Sequence, residues 1–234
     1  LYYRNNLINT IALLDKLISL DINSFVYSSS AAVYGDPGMK MCKESDSCHP
    51  ISSYGGSKLM MEQVLKDYNR AYGISSIGLR YFNAAGSYEG LGYTLNPKQH
   101  LVPILVNAGL NDEVFTVNGD DYETPDGTCI RDYTHVFDVA SAHVSALNYL
   151  MDGGDSNIFN IGGGSGTSIK QVIAEVEKQL GKEINVDVGV AAEEAGMKDG
   201  DKSTIDKEKF IQALEQTTDM DEEQLKHLLG CLLY

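Results

Sequence analysis

Tryptophan is absent from the 234 residues, proline occurs five times, and positive charge is scarce. Eighteen Lys and Arg stand against 33 Asp and Glu, a net charge of −15. That balance argues against nucleic acid and anionic membrane as partners. An anionic ligand would need a locally basic place, for which Arg80 and Arg131 are the candidates. No apolar run is long enough to span a bilayer and no signal peptide opens the sequence, so the expected location is cytoplasmic. The cysteines, Cys42, Cys48, Cys129 and Cys231, form no Cys-x-x-Cys pair and have no metal-type spacing with histidine. Cys42, Cys48 and His49 fall in one loop, an arrangement more often incidental than ligating. Reduced thiols and no metal are the expectation. Internal repeats and low-complexity tracts are also missing.

What is present is a soluble composition, 43% hydrophobic, long enough for one large domain or two small ones. The most informative stretch is Ser53-Tyr54-Gly55-Gly56-Ser57-Lys58-Leu59-Met60-Met61. Its apolar spacing continues through Val64, Leu65, Tyr68 and Tyr72 and predicts a helix over 53–72. Tyr54 and Lys58 lie one turn apart on the face that carries Met61, Leu65 and Tyr68. A lysine on the packed side of a helix needs a partner, and an ammonium beside a phenol favours the phenolate. At about 5 Å and an effective dielectric of about 20 the attraction is about 3 kcal/mol, roughly two pKa units. Tyr54 is therefore expected below its ordinary value, where it can act as a base. Taken alone, a Tyr-x-x-x-Lys spacing is as well explained by a snorkelling lysine.

The surrounding pattern adds to it. Phe25-Val26-Tyr27-Ser28-Ser29-Ser30 reads as a buried strand over 24–29 that runs into three hydroxyls, and Ile77-Gly78-Leu79-Arg80-Tyr81-Phe82-Asn83 as a second strand ending in polar groups. In open parallel sheets ligands collect at the carboxyl ends of strands. Helices are predicted over 6–20, from His100 onward, over 138–151 and over 168–180, and strands over 114–119 and 157–161, a βα alternation. Residues 36–50 and 84–98 read as loops, the second rich in Gly, Tyr and Asn as active-site loops often are. His135 and His143 read as structural, since nothing nearby supplies an orienting carboxylate.

The segments SSSAAVYG, SSYGGSKLMMEQ, LRYFNAAG, DGTCIRDYTHVFDVASAH and NIFNIGGGSGTS resemble, in order, those of the extended short-chain dehydrogenase/reductase family, and within it the NAD-dependent nucleotide-sugar epimerases. The resemblance covers most of residues 1–188. It implies an α/β fold, an incomplete Rossmann-like doubly wound parallel sheet (its carboxyl-terminal half) with a smaller α/β substrate-binding part. It divides the chain into 1–85 and 129–182 for the nucleotide-binding part, with 86–128 and 183–234 for the substrate part. The family's glycine loop, which lets backbone approach a pyrophosphate at a helix amino end, has no counterpart before residue 24. Roughly four strands of the family's sheet are thus unaccounted for. Gly162-Gly163-Gly164-Ser165-Gly166 has the wrong spacing for that loop and matches a late strand-to-helix turn, with Thr167 or Ser168 as the cap.

The function implied is interconversion of UDP-galactose and UDP-glucose through a 4-keto intermediate on tightly held NAD, by a cytoplasmic homodimer. Catalysis falls to Ser30, Tyr54 and Lys58. Asn5, Ser28, Ser29, Tyr54, Lys58 and Phe82 would contact the cofactor. Ser30, Tyr54, Asn83, His100, Leu101, Thr116, Val117, Asn118 and Arg131 would contact the UDP-sugar substrate. For Asn5 a helix-start cap is an equal reading from the residues alone, and for Arg131 an ion pair with Asp132 or Asp138. Gly55 and Gly56 would admit the cofactor against the helix. Asn118 departs from the apolar residue expected against the uracil. No arginine follows Arg131 to grip the second phosphate; Asp199-Gly200-Asp201 stands where the family has a basic motif. Three alternatives stay open. A dehydratase is disfavoured, because Ser29-Ser30-Ala31 holds no carboxylate. Other UDP-sugars (xylose, glucuronate, N-acetylhexosamine) depend on the pocket around residues 84–98. A non-catalytic relative would carry an unpaired strand edge at 24–29, an aggregation hazard unless covered.

Overall fold

The computed structural model describes residues 1–38, 40–92 and 100–189. The acidic stretches at 193–194, 199–201 and 221–223, the helices expected through Phe210 and Leu225, Cys231, and residues 93–99 of the loop lie outside the described residues.

The central layer is a parallel sheet in the order β1-β2-β6, built from Ser24–Ser30, Ser75–Tyr81 and Asn157–Ile161. α1 (Asn9–Ile18) and α2 (Ser53–Tyr72) cover one face. Leu14, Met61 and Leu65 pack there with Tyr27 and Ile74. α4 (Val136–Met151) covers the other, where Ala146 and Leu150 meet Ile77 and Leu79. Helices on both faces of parallel strands is the doubly wound arrangement. Among the described residues β1 pairs with β2 alone, so its far edge carries no strand.

A second layer is formed by α3 (Leu101–Asn111), α5 (Ile169–Leu180) and the parallel pair β4 (Phe115–Asn118) and β8 (Val186–Gly189). Leu105, Ala108, Phe115, Val117, Ile173 and Ile184 make its core. The helix expected over 168–180, α5, packs against α3 and β4. Three short strands, β3 (Asn83–Ala85), β5 (Ile130–His135) and β7 (Gly166–Ser168), tie the two layers together. Composition offers no signal for strands as short as the three residues of β3 and of β7.

Local chemistry sets the ends of α2. Ser52 accepts a hydrogen bond from the Gly55 amide at 3.1 Å, and Gly73 closes the helix in the left-handed conformation at φ +73°. α5 begins with a capping box on Ser168 and Gln171. Gly162–Gly164 is a strand-to-loop turn: the Gly163 and Gly164 amides donate to Asp132, and α5 starts only at Ile169.

Gly55 is where α2 meets the 3₁₀ turn Ala31–Tyr34 that follows β1; a Cβ there would lie 2.4 Å from the Ala32 carbonyl oxygen. This glycine is a packing requirement rather than a doorway for a ligand. Gly55→Ala gains about 1 kcal/mol of helix propensity but collides with backbone, and overpacking costs about 1–3 kcal/mol or more. The expected net result is a lower thermal midpoint, read by circular dichroism; an unchanged or raised midpoint would contradict the packing.

Candidate active site

At the carboxyl end of β1 the strand and α2 face each other over one helical turn. The Tyr54 phenol lies near the Ser30 side chain, which acts to lower its pKa. Lys58 Nζ donates to the Ser28 carbonyl at 2.9 Å and stands 5.1 Å above the Tyr27 ring and 5.5 Å from the centre of the Tyr54 ring. Ser30 also accepts from the Ala32 amide at 3.2 Å, which fixes its hydroxyl at the start of the 3₁₀ turn.

The three serines do not present three hydroxyls to the helix. Side chains alternate along a strand, and the hydroxyls part accordingly. The Ser29 hydroxyl is fully buried and donates to Glu62 Oε1 at 2.6 Å. The Ser28 hydroxyl lies 3.0 Å from His143 Nε2 on α4, while His143 Nδ1 lies 2.8 Å from the Val139 carbonyl. Since that carbonyl can only accept, Nδ1 carries the proton and Nε2 accepts from Ser28. The Ser28 and Ser29 hydroxyls, both expected to contact the cofactor, are thus engaged within the protein. His143 is more than structural filler, because it holds the residue whose carbonyl anchors Lys58.

The expected electrostatics need correction as well. Tyr54 is raised above its ordinary value, not lowered. Burial is the main cause; the Ser30 side chain works against it, and the phenols of Tyr81 and Tyr2 add to it. Tyr2 packs edge-on to Tyr54 with ring centres 5.4 Å apart. The Lys58 ammonium is turned to the Ser28 carbonyl, and burial lowers its own pKa. The simple two-charge estimate omitted this desolvation. Tyr27 is pushed up by burial too, and its hydroxyl is buried without a hydrogen-bond partner among the described residues.

Arg80 is no phosphate ligand. It is 4% exposed and forms a two-pronged pair with Glu62, Nε to Oε1 at 2.9 Å and Nη2 to Oε2 at 2.6 Å. Arg131 is exposed; its Nη1 donates to the Ile130 carbonyl at 2.9 Å, and no ion pair with Asp132 or Asp138 occurs. Asp132 instead anchors the glycine turn, and Asn83 Nδ2 donates to the Asp132 carbonyl at 3.0 Å. Asn83, Phe82, Asp132 and the Gly162–Gly164 turn therefore form one group, with Phe82 and Asp132 both close against Gly162. Asn5 lies inside a π-helical turn, Tyr3–Ile8, and not at a cap position. Its neighbour Asn6 donates to Ser57 Oγ at 3.0 Å, which pins that turn to α2.

The remaining expected substrate contacts sit in the second layer. Thr116 and Asn118 are exposed on one side of β4, whereas Val117 is buried in the core and offers only backbone. Leu101 packs partly into the same core, and His100 precedes α3 as its cap residue. Cys42, Cys48 and Cys129 are free thiols.

The residues suit the nicotinamide-ribose end of a dinucleotide. A Cβ on Gly56 would meet only the Tyr3 hydroxyl, at 3.7 Å, so this helix face is open. An ammonium, a phenol and a hydroxyl beside it match the hydrogen-bonding needs of a sugar diol.

Residues 1–162 match the family model described as NAD dependent epimerase/dehydratase family. The chain belongs to this family. Among relatives, a UDP-glucose 4-epimerase of Rhizobium meliloti (strain 1021) is 42% identical over 207 residues, covering 87% of this chain and 61% of that protein. Among solved structures, UDP-glucose 4-epimerase from Brucella ovis in complex with NAD superposes with a TM-score of 0.78 at 41% identity, over 81% of this chain and 59% of that one. The Bifidobacterium longum enzyme in complex with NAD+ and UDP gives 0.73 at 34% identity, over 81% and 58%. The chain thus spans about three-fifths of the length of the family members it matches. No helix among the described residues is long and apolar enough to cross a membrane.

For Tyr54 the raised value carries a sign. A phenol whose folded pKa exceeds its unfolded one contributes stability below pH 10 that is lost as pH rises through the folded value. Without dinucleotide, Tyr54 is expected to ionise above pH 10, measured by ultraviolet difference titration of the chain against Tyr54→Phe; ionisation below 10 would contradict the packing.

Proposed function

We propose that the protein is a UDP-sugar 4-epimerase that interconverts UDP-galactose and UDP-glucose with NAD as resident cofactor. The observation that carries this is the Tyr54 phenol near the Ser30 hydroxyl and one helical turn from Lys58, which is fixed to the carboxyl end of a parallel strand. When bound, NAD supplies the hydride acceptor and donor and a positively charged ring. Tyr54, as phenolate, would take the proton of the sugar 4-hydroxyl and return it after the keto sugar has turned over. Ser30 bridges substrate hydroxyl and phenol, because a hydroxyl donates and accepts at once. Lys58, fixed on the Ser28 carbonyl, keeps two N–H groups for the ribose diol and favours the phenolate. Asn5 and Phe82 border the dinucleotide. Asn83, His100, Leu101, Thr116, the Val117 backbone, Asn118 and Arg131 take the UDP moiety, with Arg131 on the diphosphate.

Burial moves Tyr54 further from neutrality, and a bound cationic nicotinamide ring would favour its phenolate. The dehydratase branch fits less well. Such a reaction needs a mobile carboxyl group, and Glu62, the carboxylate on the Tyr54–Lys58 stripe, is locked to Arg80. Free thiols suit a cytoplasmic location. The pairing of two copies is supported by exposed apolar side chains on neighbouring helices, Leu13 on α1 with Met60 and Tyr72 on α2.

The test is incubation of the NAD-loaded protein with UDP-galactose, with UDP-glucose as the product sought. Tyr54→Phe is expected to retain NAD on gel filtration and to lose on the order of 10²–10⁴ in rate, the scale of a general base. Turnover by Tyr54→Phe at the parent rate would contradict the assignment. On the same column the protein is expected to elute as a dimer, and Met60→Glu to shift it toward monomer; a parent that elutes as monomer would exclude the dimer.

A further inference from the structure

Glu62 and Arg80 are the charged pair most completely withdrawn from water among the described residues, 3% and 4% exposed. A buried ion pair is weak evidence for stability, because desolvation offsets much of the attraction; its better-attested use is to fix a register. The register at stake here is that of α2. Tyr54, Lys58 and Glu62 are spaced i, i+4 and i+8, one stripe along the helix. Two of them bond to neighbouring residues of β1, Lys58 to the Ser28 carbonyl and Glu62 to the Ser29 hydroxyl, and Tyr54 lies near Ser30. Arg80 stands opposite Ser29 in the β1–β2 register, on the same face of the sheet, and clamps both oxygens of Glu62.

The clamp extends across the sheet. Arg80 Nη1 donates to the Tyr34 hydroxyl at 2.9 Å, and Tyr34 donates to Asn160 Oδ1 on β6 at 2.7 Å. Asn160 in turn donates to the Cys42 carbonyl at 3.1 Å and, through its amide, to Glu44 at 2.8 Å. One chain of polar contacts thus joins α2, all three strands and the 36–50 loop.

We propose that Glu62 and Arg80 are positioning residues for the reaction: their pair sets the rotation and depth of α2 and so holds Tyr54 near Ser30 and Lys58 against the Ser28 carbonyl. This rests on the reading of Tyr54 as the base. A rotation that moved Tyr54 by about 1 Å would cost on the order of a hundredfold in rate, with little effect on binding of the distant nucleotide.

The experiment compares the NAD-loaded protein with Glu62→Gln, Arg80→Lys and the apolar double variant Glu62→Leu/Arg80→Met. A well-packed apolar replacement of a buried pair commonly keeps the fold. Should the double variant fail to fold, Glu62→Gln, which keeps shape and loses charge, carries the test. Expected are a kcat lower by about ten- to a hundredfold, a KM for UDP-galactose within about threefold of the parent, and partial recovery of kcat in Arg80→Lys. The Tyr54 titration without dinucleotide is expected to move in the same variants. Folded variants with parental kcat and an unmoved Tyr54 titration would overturn the proposal. Loss of rate only in proportion to loss of folded protein would also overturn it. A parent that binds NAD but turns over no UDP-sugar sinks the function and not the positioning, which the Tyr54 titration still reads.

Discussion

The structure depends on how one helix lies across the end of one strand. α2 is bonded to β1 at two successive residues, through an ammonium on Ser28 and a carboxylate on Ser29, with the Tyr54 phenol near Ser30. Around these contacts the apolar core is ordinary: Met61 and Leu65 seat the helix on Leu14, Tyr27 and Ile74. Hydrophobic packing fixes that the helix is there, but it tolerates small rotations. The polar contacts do not, because a buried donor or acceptor left without a partner is costly. Specificity of position therefore comes from Ser28, Ser29 and Glu62, and the chemistry is mounted on the same stripe.

That arrangement has an electrostatic consequence. A phenol sunk far enough to be aligned is also sunk far enough to lose hydration, and Tyr54 is raised for that reason. Lys58 shares the desolvation and is lowered. Burial thus disfavours the charged form of both groups. On the proposed reading of Tyr54 as the base, a cationic ring bound next to it would favour the phenolate.

Much of this was legible in the residues. The periodicity of residues 53–72 matches α2 closely, because long amphipathic helices carry strong patterns, and the strand expected over 157–161 matches β6. The Tyr54–Lys58 spacing placed both groups correctly on one face. Less legible were the directions of Ser28 and Ser29, although the alternation of a strand was sufficient to separate them. Arg80 looked like a free cation because its partner lies 18 residues away on another element. The short strands β3, β5 and β7 gave no signal, being set by tertiary pairing. The sign of the Tyr54 shift was missed because burial cannot be read from a pairwise spacing.

The pH dependence of kcat for UDP-galactose turnover by the NAD-loaded protein tests the central claim most directly. A base whose proton is released by the cofactor's charge should give a rate that rises with pH through a single acid limb and levels off well below pH 10. A rate that keeps climbing to pH 10 and beyond would mean that Tyr54 retains the raised value it has in the polypeptide alone, and would contradict the account.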